Sequence, residues 1–162
     1  MSIQPGRYKI TNVKHQEFVL DLSGTDQTSV IAWNSHGGPN QQWDVEFDNG
    51  QFSLKNVGLG KFLGHEEIDG RELLVGVDHP VTWHFEEVEP DVYRRVLHPS
   101  ASASLELFVP HTNKNADLEK IGAEQGTQVQ LWAKWTPGQN QTWRFEREYT
   151  AEFWNVSQIL TH

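Results

Sequence analysis

Apolar and polar positions alternate in short runs along this chain, and the runs recur in three places. Tyr8-Lys9-Ile10-Thr11-Asn12-Val13, Phe52-Ser53-Leu54-Lys55-Asn56-Val57 and Tyr93-Arg94-Arg95-Val96-Leu97 each open on an aromatic residue within an alternating pattern. A period of two is that of a half-buried strand. The first two runs share an aromatic-x-aliphatic-x-Asn-Val pattern. Three further runs close the units: Gln41-Gln42-Trp43-Asp44-Val45, Val81-Thr82-Trp83-His84-Phe85 and Gln141-Thr142-Trp143-Arg144-Phe145. In each, Trp and the residue two places later face the same side of a strand. From aromatic start to Trp the spans are 35, 31 and 50 residues, so the third unit is expected to carry an insertion, placed within residues 110–126.

Turn residues punctuate the runs at Ser23-Gly24, Gly37-Gly38-Pro39-Asn40, Gly58-Leu59-Gly60 and Pro137-Gly138. Asp48-Asn49-Gly50 predicts a tight hairpin between units one and two. Helical signal is weak: Asn115 to Gln125 holds helix formers but is broken by Gly122 and has no apolar face, and it reads as a loop with at most one turn. A single unit cannot bury its own apolar face, so three of them must share one core. The expected fold is all-β, with three repeats of four short strands at about residues 6–47, 50–88 and 92–147, forming one domain over residues 1–148. Residues 149–162 form a C-terminal extension in which Phe153, Trp154, Ser157 and Leu160 share one helical face. That extension is expected to pack back on the domain or to make an interface, a homodimer contact included.

Composition narrows the function. At 162 residues the chain is of one-domain size and buries a core without covalent staples. There is no cysteine, which excludes disulfides and thiol chemistry. The N-terminus lacks the charge and apolar stretch of a secretory signal, so a cytoplasmic location is expected. No apolar run approaches the roughly 20 residues of a membrane span. A net charge of −9 without a basic cluster argues against nucleic-acid and anionic-membrane partners. Its histidines, His79, His84 and His98 among them, show no metal-ligand spacing, and no catalytic motif is present, so neither cofactor nor catalysis is expected. Seven Trp are the unusual feature, since Trp serves both cores and binding surfaces.

Three motifs carry a resemblance. Phe18-Val19-Leu20-Asp21-Leu22-Ser23-Gly24, Val30-Ile31-Ala32-Trp33 and Pro39-Asn40-Gln41-Gln42-Trp43 resemble the first repeat of ricin-B-type lectins, with an Asp, an aromatic about a dozen residues later, and Asn-Gln-x-Trp. Val129-Gln130-Leu131-Trp132 and Asn140-Gln141-Thr142-Trp143 repeat the pattern. The opening Met1-Ser2-Ile3-Gln4-Pro5-Gly6-Arg7-Tyr8 is similar to cytoplasmic mushroom lectins of this kind, and also to the mushroom protease inhibitors that share their fold. The resemblance implies a β-trefoil and binding of glycans ending in galactose or N-acetylgalactosamine.

A sugar offers hydroxyls in a fixed pattern and one apolar face, so its site needs a carboxylate or amide and an aromatic ring. In unit one the resemblance gives these roles to Asp21 and Asn40, with Trp33 stacking, His36 adding a contact and Gln41 pinning the loop. Ile31 replaces a Gln that the family commonly has there. In unit three Gln130, Trp132 and Asn140 are retained, with Asp117 as the carboxylate after a three-residue insertion, or Glu106 after a longer one, and Trp135 widening the platform. Unit two has Val81 for Gln and Leu63-Gly64-His65 where an Asp would stand, and reads as structural. The alternative reading is a protease inhibitor presenting a loop, at residues 23–29 or at residues 113–125 with Lys114 and Lys120. An inhibitor has no need of the same polar set in two repeats, which favours the lectin.

Overall fold

The tightest local signals become hairpins. Trp43–Asp48 (β4) and Gln51–Asn56 (β5) pair antiparallel with Asp48 opposite Gln51, leaving a two-residue loop. Asn49 and Gly50 both have positive φ, 52° and 76°, the handedness that matches the twist of the flanking strands. Asp69-Gly70, an Asp-Gly signal of the same kind, makes the same turn between Phe62–Ile68 (β6) and Arg71–Val77 (β7). In this computed structural model the described residues are 3–88, 102–119 and 122–148.

The remaining strands are Gly6–Asn12 (β1), Phe18–Leu22 (β2), Val30–Asn34 (β3), His84–Glu87 (β8), Ser102–Phe108 (β9), Lys114–Asp117 (β10), Gln130–Ala133 (β11) and Trp143–Arg147 (β12). Strand β1 pairs with both β4 and β12, β4 with β5, β12 with β9 and β9 with β8. A bridge from Phe52 to Trp83 joins β5 to β8 and closes the ring, so that no barrel strand is left as an open edge. The other six strands form three hairpins, β2–β3, β6–β7 and β10–β11. They are tied to one another where Ile31 bridges Gln128, Ser29 bridges Val75 and Leu73 pairs with Gln130. A closed ring of six strands covered by three hairpins, repeated three times along the chain, is a β-trefoil.

The core is built in matching threes. Trp43, Trp83 and Trp143 are fully buried, and each indole Nε1 donates to a carbonyl on the hairpin of its own unit: Leu20 at 3.0 Å, Leu63 at 2.9 Å and Ala116 at 3.1 Å. Buried Trp needs a partner for its N–H, and the hairpin carbonyl supplies it. Ile10, Leu54 and Leu107 line the barrel, while Val30, Leu74 and Val129 meet beneath the hairpins. The recurring Trp runs are thus the inner wall of one shared core.

Unit three departs from the expectation. Its first strand is β9, whose Leu105 stands where Tyr8 and Phe52 stand in units one and two. Tyr93 to Leu97 lie outside the described residues. From Leu105 to Trp143 the span is 38 residues, close to the other two units, so the large excess expected within residues 110–126 is not there. The extra chain lies ahead of β9 instead. Strand β10 covers Lys114–Asp117, where a loop with at most one turn was expected. The extension at residues 149–162 also lies outside the described residues.

Candidate functional site

Asp21 sits on β2 with its side chain inward, opposite Ile31 on β3. It is only 2% exposed, so its carboxylate needs donors close by. They come from the turn Pro39–Gln41, where Pro39 starts a short 3-10 helix with its φ preset and no N–H to waste. Asn40 Nδ2 donates to Asp21 Oδ1 at 3.1 Å, and Gln41 Nε2 donates to Oδ2 at 2.8 Å. Gln41 Nε2 also reaches the Asn34 carbonyl, and its Oε1 accepts from the His36 backbone N–H at 2.9 Å. The expected role of Gln41 as the pin of this loop therefore has a geometry. His36 Nε2 lies 3.9 Å from Asp21 Oδ2, on a half-exposed ring whose Nδ1 accepts from the Gly38 N–H. Burial pushes the Asp21 carboxyl above its ordinary value, opposed in part by the bond from Gln41, the nearby His36 and the bond from Asn40. Trp33 is half-buried on β3, beside Gly126.

Unit three repeats this arrangement with the Asn and Gln donors both on one carboxylate oxygen. Asp117 Oδ2 accepts from Asn140 Nδ2 at 3.1 Å and Gln141 Nε2 at 2.9 Å. Gln141 reaches the Ala133 carbonyl, and its Oε1 accepts from the Trp135 N–H, so Trp135 occupies the place that His36 has in unit one. Gln130 adds a third donor, Nε2 to Asp117 Oδ1 at 3.1 Å. Asp117 pairs across the hairpin with Gln130 as Asp21 pairs with Ile31, thirteen positions apart against ten, which is the three-residue insertion. Glu106 is elsewhere, on β9, in an ion pair with Lys134 at 3.1 Å. Trp132 is 59% exposed, a large apolar face left open beside a polar cluster. Asn140 is buried in these bonds.

Unit two is filled with carbon. Gly64 holds the place of Asp21, and a side chain begun there would meet Val77 Cγ2 at 2.8 Å and Val81 Cγ2 at 3.4 Å. Val77 and Val81 stand where Trp33 and Gln41 stand in unit one. An apolar plug replaces the carboxylate and its donors together.

Four supporting residues went unassigned in the sequence. Asn56 Nδ2 donates to the Asn40 carbonyl at 2.9 Å and Asn12 Nδ2 to the Asn140 carbonyl at 3.0 Å. Each Asn therefore braces the site of the preceding unit around the ring. The Asn of the recurring aromatic-x-aliphatic-x-Asn-Val pattern was the signal, read there only as part of a strand. In unit three that position is Val109, and the unit it would brace is the blank one. Arg71, from unit two, donates through Nη2 to Gln130 Oε1 at 3.3 Å. Gly58 packs on the site-one turn: a Cβ there would lie 2.8 Å from Asn40 N and 2.9 Å from the Pro39 carbonyl carbon, both backbone atoms. Gly58→Ala is expected to cost about 1–3 kcal/mol by overpacking and to weaken ligand binding at site one while sparing site three, as calorimetry with each site isolated would measure.

Units one and three of the β-trefoil thus each carry a buried carboxylate held by an Asn-Gln pair. The sequence agrees: the family model described as ricin-type beta-trefoil lectin domain-like matches residues 2–69 and 39–132. The chain belongs to that family. Among solved structures it is similar to the Macrolepiota procera ricin B-like lectin in complex with lactose, at 36% identity over 91% of this chain and 100% of the other, with a TM-score of 0.76. It is similar also to the Rhizoctonia solani agglutinin, at 25% identity over 91% and 99% of the two chains and a TM-score of 0.71. A proteinase inhibitor from Coprinopsis cinerea shares the fold at 16% identity, over 91% and 100% of the two chains, with a TM-score of 0.62. No curated protein matches the sequence significantly.

Proposed function

We propose that the protein is a lectin with two sites, one in unit one and one in unit three, for glycans that end in galactose or N-acetylgalactosamine. The observation that carries this is the pair of equivalent carboxylates at Asp21 and Asp117, each oriented by an Asn and a Gln next to a Trp. An ionised carboxylate accepts about four hydrogen bonds. Asp21 takes two from its own side-chain donors, which leaves capacity for two adjacent sugar hydroxyls. Trp33 and Trp132 supply rings for the apolar face of the sugar, with Asn40 and Asn140 setting orientation and His36 or Trp135 at the rim. Lactose, bound by the Macrolepiota procera relative, carries a terminal galactose of this class.

Such a site is suited to binding, because its Asn and Gln donors fix the carboxylate in place before a ligand arrives. Two sites on one chain cross-link multivalent glycans, with avidity above single-site affinity. The inhibitor reading has less support. Residues 23–29 form a turn locked by Asp26, whose carboxylate accepts from the Ser29 hydroxyl and from the Thr28 and Ser29 N–H groups, and it carries no basic residue. Of the other candidate loop, Lys114 is in β10 and paired with Glu72 at 2.7 Å, and Lys120 lies outside the described residues. The test is a glycan array with free galactose as competitor. A coherent set of galactose- or N-acetylgalactosamine-terminated hits, displaced by galactose, is the expected result. A blank array on folded protein would overturn the reading and turn attention to serine and cysteine proteases.

A further inference from the structure

An open groove of about 490 Å3 lies on the face made by the hairpins, outside either carboxylate site. One end borders site one. Ile31 there is the cross-strand partner of Asp21, Ser23 follows Asp21 by two residues, and Gly126 lies against the Trp33 ring. At its other end are Glu119, two residues beyond Asp117, and Arg71, which holds Gln130. The groove therefore runs from the flank of site one toward that of site three.

Pseudo-threefold comparison explains why it is open on this side. The segment that lies along β3 is 126–128, tied by Gly126 N–H to the Ala32 carbonyl at 2.7 Å and Ala32 N–H to the Thr127 carbonyl at 2.8 Å. Gly126 has a φ of 95° and no side chain, so the space beside Trp33 stays clear. Along β11 the corresponding neighbour is β7, and it brings the long side chain of Arg71 to Gln130. In site one both changes act together: Ile31 replaces a Gln-sized polar group, and Gly126 stands where an arginine stands in site three.

The lining suits hydroxyl-rich chains. Thr25, Thr127 and Gln128 offer hydroxyl and amide groups, and Asp26, Glu119 and Arg71 offer charged acceptors and a donor. The volume is within the roughly 300–1,000 Å3 of small-molecule sites. Two carboxylates against one guanidinium make the groove net negative, which disfavours sialylated or sulfated chains. Asp26 is held ionised by the Ser29 hydroxyl and by N–H groups.

Resting on the lectin reading of site one, we infer that this groove is an extended subsite for a neutral linear oligosaccharide whose terminal sugar sits at Asp21 and Trp33. The two sites then differ in kind: site one reads a chain, and site three reads a chain end. Even a few weak hydrogen bonds along the groove are expected to raise affinity roughly tenfold over the terminal sugar alone.

The test is calorimetry on the full chain carrying Trp132→Ala, which silences the exposed ring of site three so that the titration reports site one. Galactose, lactose and the galactose-terminated tetrasaccharide lacto-N-neotetraose are the probes. The tetrasaccharide is expected to bind roughly tenfold tighter than galactose. Adding Thr25→Trp, which fills the groove from its exposed rim, is expected to return the tetrasaccharide to within about twofold of galactose. Gln128→Ala should erode the same advantage without adding bulk. Equal affinity for all three probes, or a tetrasaccharide advantage that survives both variants, overturns the extended subsite and leaves the primary site standing. If galactose itself fails to bind, or binds undiminished when Asp21→Ala is added, the primary-site reading falls and the inference with it.

Discussion

Asp21→Ala is expected to halve the number of sugars bound per chain, and Asp117→Ala to do the same independently. Asp21, with two side-chain donors, is proposed to accept from two hydroxyls of its ligand and Asp117, with three, from one, and hydrogen bonds to a charged group are worth about 1.5–3 kcal/mol each. Losing them lowers affinity by about a hundredfold or more at site one and about tenfold or more at site three. Isothermal titration with galactose should fall from two sites to one in either single variant and to none in the double variant. Circular dichroism should meanwhile report an unchanged strand content. Binding that stays at two sites in Asp21→Ala would remove Asp21 from the machinery.

Acid provides an independent check on the same group. The Asp21 carboxyl is raised by burial above its ordinary value of about 3.9. Site-one affinity should therefore fall as pH drops through that raised value, before a free aspartate would be protonated. Stability has the opposite sign. The native state holds the Asp21 proton more tightly than the unfolded chain does, so the ionised form carries a folding penalty above the native pKa. That penalty is relieved as pH falls toward the unfolded value. Titrations in the Trp132→Ala background from neutral to acid pH separate the two effects.

Trp43→Ala is the second large expectation. Trp43 is fully buried, and its indole N–H donates to the Leu20 carbonyl one residue before Asp21. Removing the ring leaves a cavity worth about 3–5 kcal/mol for a buried Trp. It also orphans a buried carbonyl, at about 1–3 kcal/mol. Against a total stability of about 5–15 kcal/mol, the variant should melt roughly 10 °C or more below the parent, or not fold at all. Trp43→Phe keeps most of the packing and loses the N–H. It should fold, melt between the two, and bind more weakly at site one than at site three. A variant that binds at site one as the parent does would mean that Leu20 needs no support from the indole.

How far the sequence led differs from residue to residue. The Trp-x-Val and Trp-x-Phe runs announced the core because burial of a large ring every third of the chain leaves a period that local reading detects. Asn49-Gly50 announced its turn because only a few residue types accept positive φ at both loop positions. An aromatic start is a weak marker of a unit's first strand, because Leu105 of β9 fills the core position opposite Trp143 as Tyr8 does opposite Trp43.

The sequence by itself determined the threefold β architecture and the shared Trp core, since both rest on side-chain type and local periodicity, and its resemblance to ricin-B-type lectins marked the two sets of candidate ligand residues. Tertiary structure alone decided which groups meet. Asp21 is joined to Asn40 and Gln41 across 19 and 20 positions, Asn12 reaches the Asn140 carbonyl across 128, and Arg71 reaches Gln130 across 59. Such contacts leave no local trace, because closing the barrel, and not any neighbouring residue, brings these groups within hydrogen-bonding range.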